Sequence, residues 1–296
     1  MGDPAEDGAV ITAALLRRWR LPDPAGNKDA KGRVLIVGGG AATAGAILLA
    51  AEAALRIGAG KLKMATVAAT APLLSTAVPE AFVAGLPAGE TGDISPAAAE
   101  VILDLAASAD AVLLGPGITD PEAATALLEL VVPHLDTRVV IDALGTAYLT
   151  AHPDGVRHLE GRVLLTPNSV ELARTLGASH DDVDADVHAA TAALARQTGA
   201  VVLSGSALSY VVTPDGTTWR NEAGGPGVAA SGSGDVKAGA VVGLCARGAS
   251  PEQSAAWGSF AHGRAGERLT ASVGRVGFLA RELVTELPRV LAEIEV

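Results

Sequence analysis

The stretch "GPGVAASGSGDVKAGAVVGL" runs from a flexible loop through Gly232, Ser233 and Gly234 into an apolar-faced helix that begins about Asp235. Free backbone N–H groups and the positive end of the helix dipole converge at such a start, and glycine lets the backbone come within contact distance of an anion. These three residues therefore suit an anion hole for phosphate. A carboxylate at Asp235 would lie beside that phosphate, where it can take the proton of a hydroxyl attacking the terminal phosphoryl group. The competing reading is an N-cap aspartate, because Asp is a favoured cap and Gly-Ser-Gly loops are common.

Something must hold that helix start in place. From Arg33 onward, short β-branched runs alternate with Ala/Leu-rich stretches: "RVLIV", a helix over about 43–57, "LKMATV", a helix from Pro96, "AVLLG", a helix from Pro121, and "RVVID". The rhythm continues through "RVLLT", helices near 168–176 and 184–198, and "AVVLS". Such alternation predicts βαβ units and a mostly parallel central sheet with helices on both faces, a three-layer α/β/α sandwich. A hairpin "SYVVTPDGTTW" turning at Asp215-Gly216 and three Ala-rich helices from about 235, 252 and 278 complete the pattern. Residues 1–32 read as a helix, "ITAALLRRW", and a loop packed on one domain spanning 1–296, with no linker or repeat. Parallel sheets place ligands at the carboxyl ends of their strands, so the Gly-rich turns there are the candidate sites.

Composition excludes several classes. With a formal net charge of −11, scattered basic residues and only 3% aromatics, the chain repels a phosphate backbone and lacks stacking platforms, so nucleic acid is not expected. Asp3, Glu6 and Asp7 do not suit a secretory signal, and no run approaches the roughly 18 apolar residues of a membrane helix, so a cytoplasmic protein without a membrane partner is expected. Cys245 lies in an apolar run and reads as a buried hydrophobe. "VGGGAATAG" fits a loose dinucleotide fingerprint, but no acid follows at the end of the next strand, where "LKMATV" leads to Ala68. "GAGKL" is no P-loop, since Leu55 and Leu62 stand where Gly and Ser or Thr are needed.

Read together, "SGSGDVKAGAVVGLCARG", "GRVLIVGGGAATAGAILLAAEAALRIGAGKLKMATV", "ADAVLLGPGITDPEAA", "LLTPNSVELARTLG", "VVLSGSALSYVVTPDG" and "AHGRAGERL" resemble, in order over residues from about 10 to 295, the NAD(P)H-hydrate dehydratase branch of the ribokinase-like superfamily. The resemblance implies an ADP-dependent (or ATP-dependent) enzyme using Mg²⁺, which phosphorylates the hydroxyl of hydrated NADH or NADPH and eliminates phosphate. It implies Asp235 as base and Gly232, Ser233 and Gly234 as anion hole. The hydrate would lie against Ala46, Gly117, Asn168 and Asp235, and the adenine nucleotide would follow Ser204, Gly205, Ser206, Ala207, Leu208 and Gly234.

Several positions depart from the family. Asn168-Ser169-Val170-Glu171 replaces His-Pro-Gly-Glu, so Asn168 either bonds the substrate or caps its helix. Ser204-Gly205 replaces Lys-Gly and removes a point charge, and "VVIDALG" leaves Asp142 as the surviving acid of its strand end. Lys237 stands where an aliphatic residue is usual and is expected to point to solvent rather than to phosphate, while His262 matches a histidine near the adenine end. Two rivals share the fold: a thiazole- or pyrimidine-type kinase, and a non-catalytic nucleotide binder. An Asp235 left open favours catalysis; a salt bridge from Lys237 or Arg264 filling its pocket would disfavour it. The Ala-rich exterior and the family's habit point to a homo-oligomer, possibly a tetramer. At 296 residues there is no room for a fused epimerase, which would be a separate protein.

Overall fold

The computed structural model describes residues 8–23 and 26–295, so Asp3, Glu6 and Asp7 lie outside the described residues. Ten strands form one sheet: β1 (Ala9–Val10), β2 (Arg33–Val37), β3 (Lys61–Val67), β4 (Ala81–Leu86), β5 (Ala111–Leu114), β6 (Arg138–Ile141), β7 (Val163–Leu165), β8 (Val201–Gly205), β9 (Ser209–Val212) and β10 (Thr218–Asn221). Their order is β1-β10-β9-β8-β7-β6-β5-β2-β3-β4. Only β9 runs antiparallel to its neighbours.

Alternation along the strands builds a core on each face. Val34, Ile36, Leu113 and Val140 point to one side, and Leu35, Val37, Val112, Leu114, Val139 and Ile141 to the other. The first side is covered by α1 (Ala13–Arg18), α2 (Ala44–Arg56), α3 (Ala71–Ala77), α10 (Ser233–Ala246), α11 (Pro251–Ser272) and α12 (Ala280–Ile294). The second is covered by α4 (Ala99–Ala106), α5 (Pro121–Val131), α6 (Ala147–Ala151), α7 (Ser169–Leu176), α8 (His180–Ala185) and α9 (Val187–Thr198). This is the expected α/β/α sandwich.

The sequence pattern missed β1 and β4, which are the two edges of the sheet. "AFVAGL" of β4 is apolar but holds a single β-branched residue, Val83, beside Ala and Gly, so it lacks the strand signature, and in the fold only Leu86 is buried. The helix expected over 184–198 is divided at Asp186, whose extended backbone (φ −149°, ψ 79°) separates α8 from α9 while its side chain caps α9. The hairpin forms as expected, with Thr213 and Thr217 closing the turn.

After β2 the chain moves outward through β3 and β4, then returns to the other side of β2 at β5 and continues the opposite way. Connections that leave adjacent strands in opposite directions open a crevice at their carboxyl ends. Here the two turns are stitched together, Gly39 N–H donating to Pro116 O at 2.7 Å. Helix α10 lies over β2, β5 and β6 and packs tightly on α2. A Cβ at Gly239 would sit 2.2 Å from Ala50 O, and one at Gly243 would sit 2.4 Å from Ile57 Cγ2. Because the Gly239 clash is with backbone, Gly239→Ala is expected to cost about 1–3 kcal/mol by urea unfolding; an unchanged midpoint would mean the helices separate freely.

Candidate active site

Helix α10 begins at Ser233 with Gly232 as its N-cap, so Asp235 is the third helical residue and not the cap. Gly232 has φ +83°, and a Cβ there would lie 2.5 Å from Leu49 Cδ1 of α2, so only glycine fits. Ser233 is buried: its N–H donates to Ala230 O, and its hydroxyl lies 2.7 Å from Nε2 of His262. Burial and the charge of Lys237 push His262 down to about 3, leaving a neutral ring that props up the helix start. A Cβ at Gly234 would meet nothing within 4 Å. Among the described residues the backbone N–H groups of Gly234 and Asp235 have no acceptor. Two free donors thus face open space.

The Asp235 side chain makes no hydrogen bond or ion pair among the described residues, and burial with the nearby Glu171 charge raises it to about 6. Glu171 belongs to the capping box of α7: its carboxylate accepts from Asn168 N–H at 2.9 Å and its own N–H donates to Asn168 Oδ1 at 2.9 Å. Asn168 is therefore the helix cap. Its exposed amide nitrogen keeps both protons free among the described residues. Asp142, at the end of β6, is buried and accepts from Thr166 Oγ1 at 2.6 Å. Burial and then Glu171 push it up to about 8, so it carries a proton at neutral pH.

On the other flank, Gly117 (φ +72°) faces α2: a Cβ would lie 2.8 Å from Thr43 O and 2.9 Å from Ala46 Cβ. Thr43 Oγ1 bonds Gly117 O at 2.5 Å and also accepts from Gly40 N–H at 2.8 Å. Asp93 is a residue sequence reasoning missed. It is 2% exposed, and its Oδ2 accepts from Thr119 N–H, Thr119 Oγ1 and Asp120 N–H at 3.0, 2.9 and 2.8 Å. It pins the loop after Gly117 against the first turn, and no periodicity marks a single acid in "ETGDI".

Ser204 is fully buried, its hydroxyl donating to Pro167 O at 2.8 Å, so it ties the ends of β7 and β8 together. Gly205 (φ +123°) leads into an exposed turn of Ser206, Ala207 and Leu208. Lys237 corrects an expectation. It is not a solvent lysine but a partly buried one, and burial lowers it while the Asp142 and Glu171 charges act against that. The reason is rotation: Gly239 and Gly243 face α2, which turns Lys237 the other way, toward α11 and the strand ends. Neither Lys237 nor Arg264 bridges to Asp235; Arg264 pairs with Glu267 at 2.8 Å. Burial raises the Cys245 thiol to about 11, in line with a hydrophobe.

No group of three or more His, Cys, Asp or Glu among the described residues is arranged to hold a metal. The residues thus fit no all-protein cage, but they fit Mg²⁺ arriving on phosphate oxygens, which needs at most one or two carboxylates. A cavity of about 610 Å³ lies at the opposite end of the strands, bounded by Asp110, Arg138 and Arg162.

A mostly parallel α/β/α sandwich whose helix start offers free N–H donors beside an open carboxylate has the form of an enzyme site for an anionic ligand. The chain belongs to the NAD(P)H-hydrate dehydratase family, whose model matches residues 34–289. It is 42% identical to the ADP-dependent (S)-NAD(P)H-hydrate dehydratase of Xanthomonas campestris, over 95% of this chain and 96% of that one. It is 34% identical to the bifunctional NAD(P)H-hydrate repair enzyme Nnr of Moorella thermoacetica, over 97% of this chain and 54% of that one. Among solved structures it resembles the ADP/ATP-dependent NAD(P)H-hydrate dehydratase of Bacillus subtilis co-crystallised with ATP/Mg²⁺ (TM-score 0.78, 26% identity, 97% and 99% of the two chains). The expected family and fold are borne out.

The buried acid has a consequence for stability. Asp142 is raised on folding, so the native state binds more protons than the unfolded chain between about pH 4 and pH 8, and stability falls as pH rises through that window. Asp142→Asn keeps a neutral group in place. Thermal unfolding is expected to show the variant gaining on the native chain steadily from about pH 4 to about pH 8; a constant offset would place Asp142 in its ordinary range.

Proposed function

We propose that this chain is an ADP-dependent dehydratase of (S)-hydrated NADH and NADPH, acting as one catalytic unit. The observation that carries the reading is an unbonded Asp235 next to two unbonded N–H groups at the start of α10. The N–H groups of Gly234 and Asp235 receive the transferring phosphoryl group, and their preorganisation favours the charge that builds there. Asp235 takes the proton of the hydrate hydroxyl as its oxygen bonds phosphorus and the bond to AMP breaks. Expulsion of phosphate and loss of a proton from the neighbouring ring carbon then restore the dihydronicotinamide. Mg²⁺ bound with the nucleotide would neutralise phosphate charge.

Ala46 and Gly117 form a side-chain-poor wall that admits the hydrate ring, and the free amide protons of Asn168 suit its carboxamide. The nucleotide lies along Ser204, Gly205, Ser206, Ala207 and Leu208, with Ser204 and Gly205 offering backbone and the exposed turn supplying the rest. The open Asp235 supports catalysis over a degenerate binder. The close approach of Gly117 to Ala46 in the first turn of α2 supports a dehydratase over a small-molecule kinase. We further infer a cytoplasmic homo-oligomer working beside a separate epimerase. No described helix is long and apolar enough to cross a membrane, and the match covers 54% of the bifunctional Moorella relative.

The test is the return of absorbance at the reduced-nicotinamide band when hydrated NADH is mixed with protein, Mg²⁺ and either ADP or ATP. Asp235→Asn is expected to lower kcat by about 10²- to 10⁴-fold with ADP still bound. In the native enzyme kcat/KM should fall as pH drops through about 6, where Asp235 becomes protonated and can no longer accept the hydroxyl proton. Nucleotide binding with no absorbance return would establish a non-catalytic binder instead.

A further inference from the structure

The cation on the floor of the site has no partner among the described residues. Lys237 makes no hydrogen bond and no ion pair within 4.0 Å among the described residues, although it is partly buried. A desolvated ammonium without a contact counter-ion is costly, so its position calls for an anion that arrives from outside. The groups that face it are Asp142 from the end of β6, Glu171 from the start of α7 and His262 from α11. None of the carboxylates closes on it.

Helix geometry says where the ammonium can go. Lys237 is three residues past Gly234, so the two lie on the same face one turn apart, and helical side chains lean toward the N-terminus. Three residues rise about 4.5 Å, which the four-carbon lysine stem spans. Gly234 leaves that path clear, since even a Cβ there would meet nothing within 4 Å. Asp235, two residues before Lys237, is rotated by about 200° and reaches the same helix end from the other side. The other candidate cations are committed or remote: Arg264 pairs with Glu267, and Arg174 is exposed on α7.

We propose that Lys237 binds the terminal phosphate of the nucleotide, its ammonium reaching past Gly234 to meet the same oxygens that the free N–H groups of the helix start hold. Resting on the dehydratase reading, this gives the chain a base and a phosphate-binding cation from one helix, on opposite sides of the transferring group. The cation serves as phosphate ligand and needs no contact with the hydrate.

The test is calorimetric binding of ADP and of adenosine, without hydrate, to the native chain, Lys237→Met and Lys237→Arg, from pH 7.5 to 10. Loss of a charge-assisted contact is expected to weaken ADP by about 10- to 100-fold in Lys237→Met while adenosine binding stays within about twofold. Lys237→Arg should recover most of the ADP affinity. Asp142 ionises near pH 8 in both chains, and the fall in native ADP affinity beyond that shared part, which comes from lysine deprotonation, should disappear in Lys237→Arg, since arginine stays charged. Equal ADP affinity in the native chain and Lys237→Met overturns the proposal, as does a parallel loss of adenosine binding. Hydrate turnover by the native chain, measured in the same buffers, separates the two readings. Turnover with an indifferent Lys237→Met removes only the lysine; ADP binding that depends on Lys237 without turnover removes only the dehydratase. A native chain that binds no ADP removes both.

Discussion

The close approach of α2 and α10 is the contact on which the site depends. Both helices follow Gly-rich turns at the point where the sheet reverses direction, and each supplies one half of the crevice: α2 brings Thr43 and Ala46, α10 brings Gly232 to Asp235. Their separation is set by backbone, with Gly239 resting on Ala50 O and Gly232 on Leu49. Any side chain at these places would push α10 outward and carry the free N–H groups away from the turn at Gly117. The Gly and Ala content of the chain is thus a packing requirement of the site as much as of the core.

Within that frame the electrostatics are unusual. Asp142, Glu171 and Asp235 gather at the ends of β6 and β7 and the start of α10, and burial pushes all three upward. Their environments separate them. Asp142, deepest and hydrogen-bonded by Thr166, keeps its proton at neutral pH and so adds little negative charge to a phosphate site. Asp235, half-buried and unbonded, sits near 6, ionised at neutral pH yet basic enough to take a proton. Glu171 is occupied with the Asn168 cap, and moving either partner would disturb Asp235 through its field.

Much of this was legible in the sequence because the signals were backbone signals. The alternation of β-branched and Ala-rich runs marks the parallel sheet, and Gly232-Ser233-Gly234-Asp235 marks the helix start. What stayed hidden depended on tertiary partners. Whether Asn168 caps or binds could not be weighed without seeing the Glu171 carboxylate return to its N–H. Lys237 looked like a solvent charge because its helix face is decided by Gly239 and Gly243 seating on α2, several residues away. Asp93 showed nothing, since its partners Thr119 and Asp120 lie in another loop. The edge strand β4 failed for a local reason: its Ala- and Gly-rich run has one β-branched residue, Val83, to mark it as a strand.

An acidic chain of net charge −11 that binds a nucleotide polyphosphate poses a question of range. Its surface field repels anions on approach, but at physiological salt that field decays over about 8 Å. Inside that distance the proposed site would offer the phosphate the positive end of α10, two N–H groups without acceptors among the described residues, and a neutralised Asp142. The long-range charge therefore governs how often the ligand arrives, and the short-range donors govern how long it stays. A protein built this way needs no basic surface to hold phosphate, and polyanions too large to enter the crevice meet only the repulsive exterior.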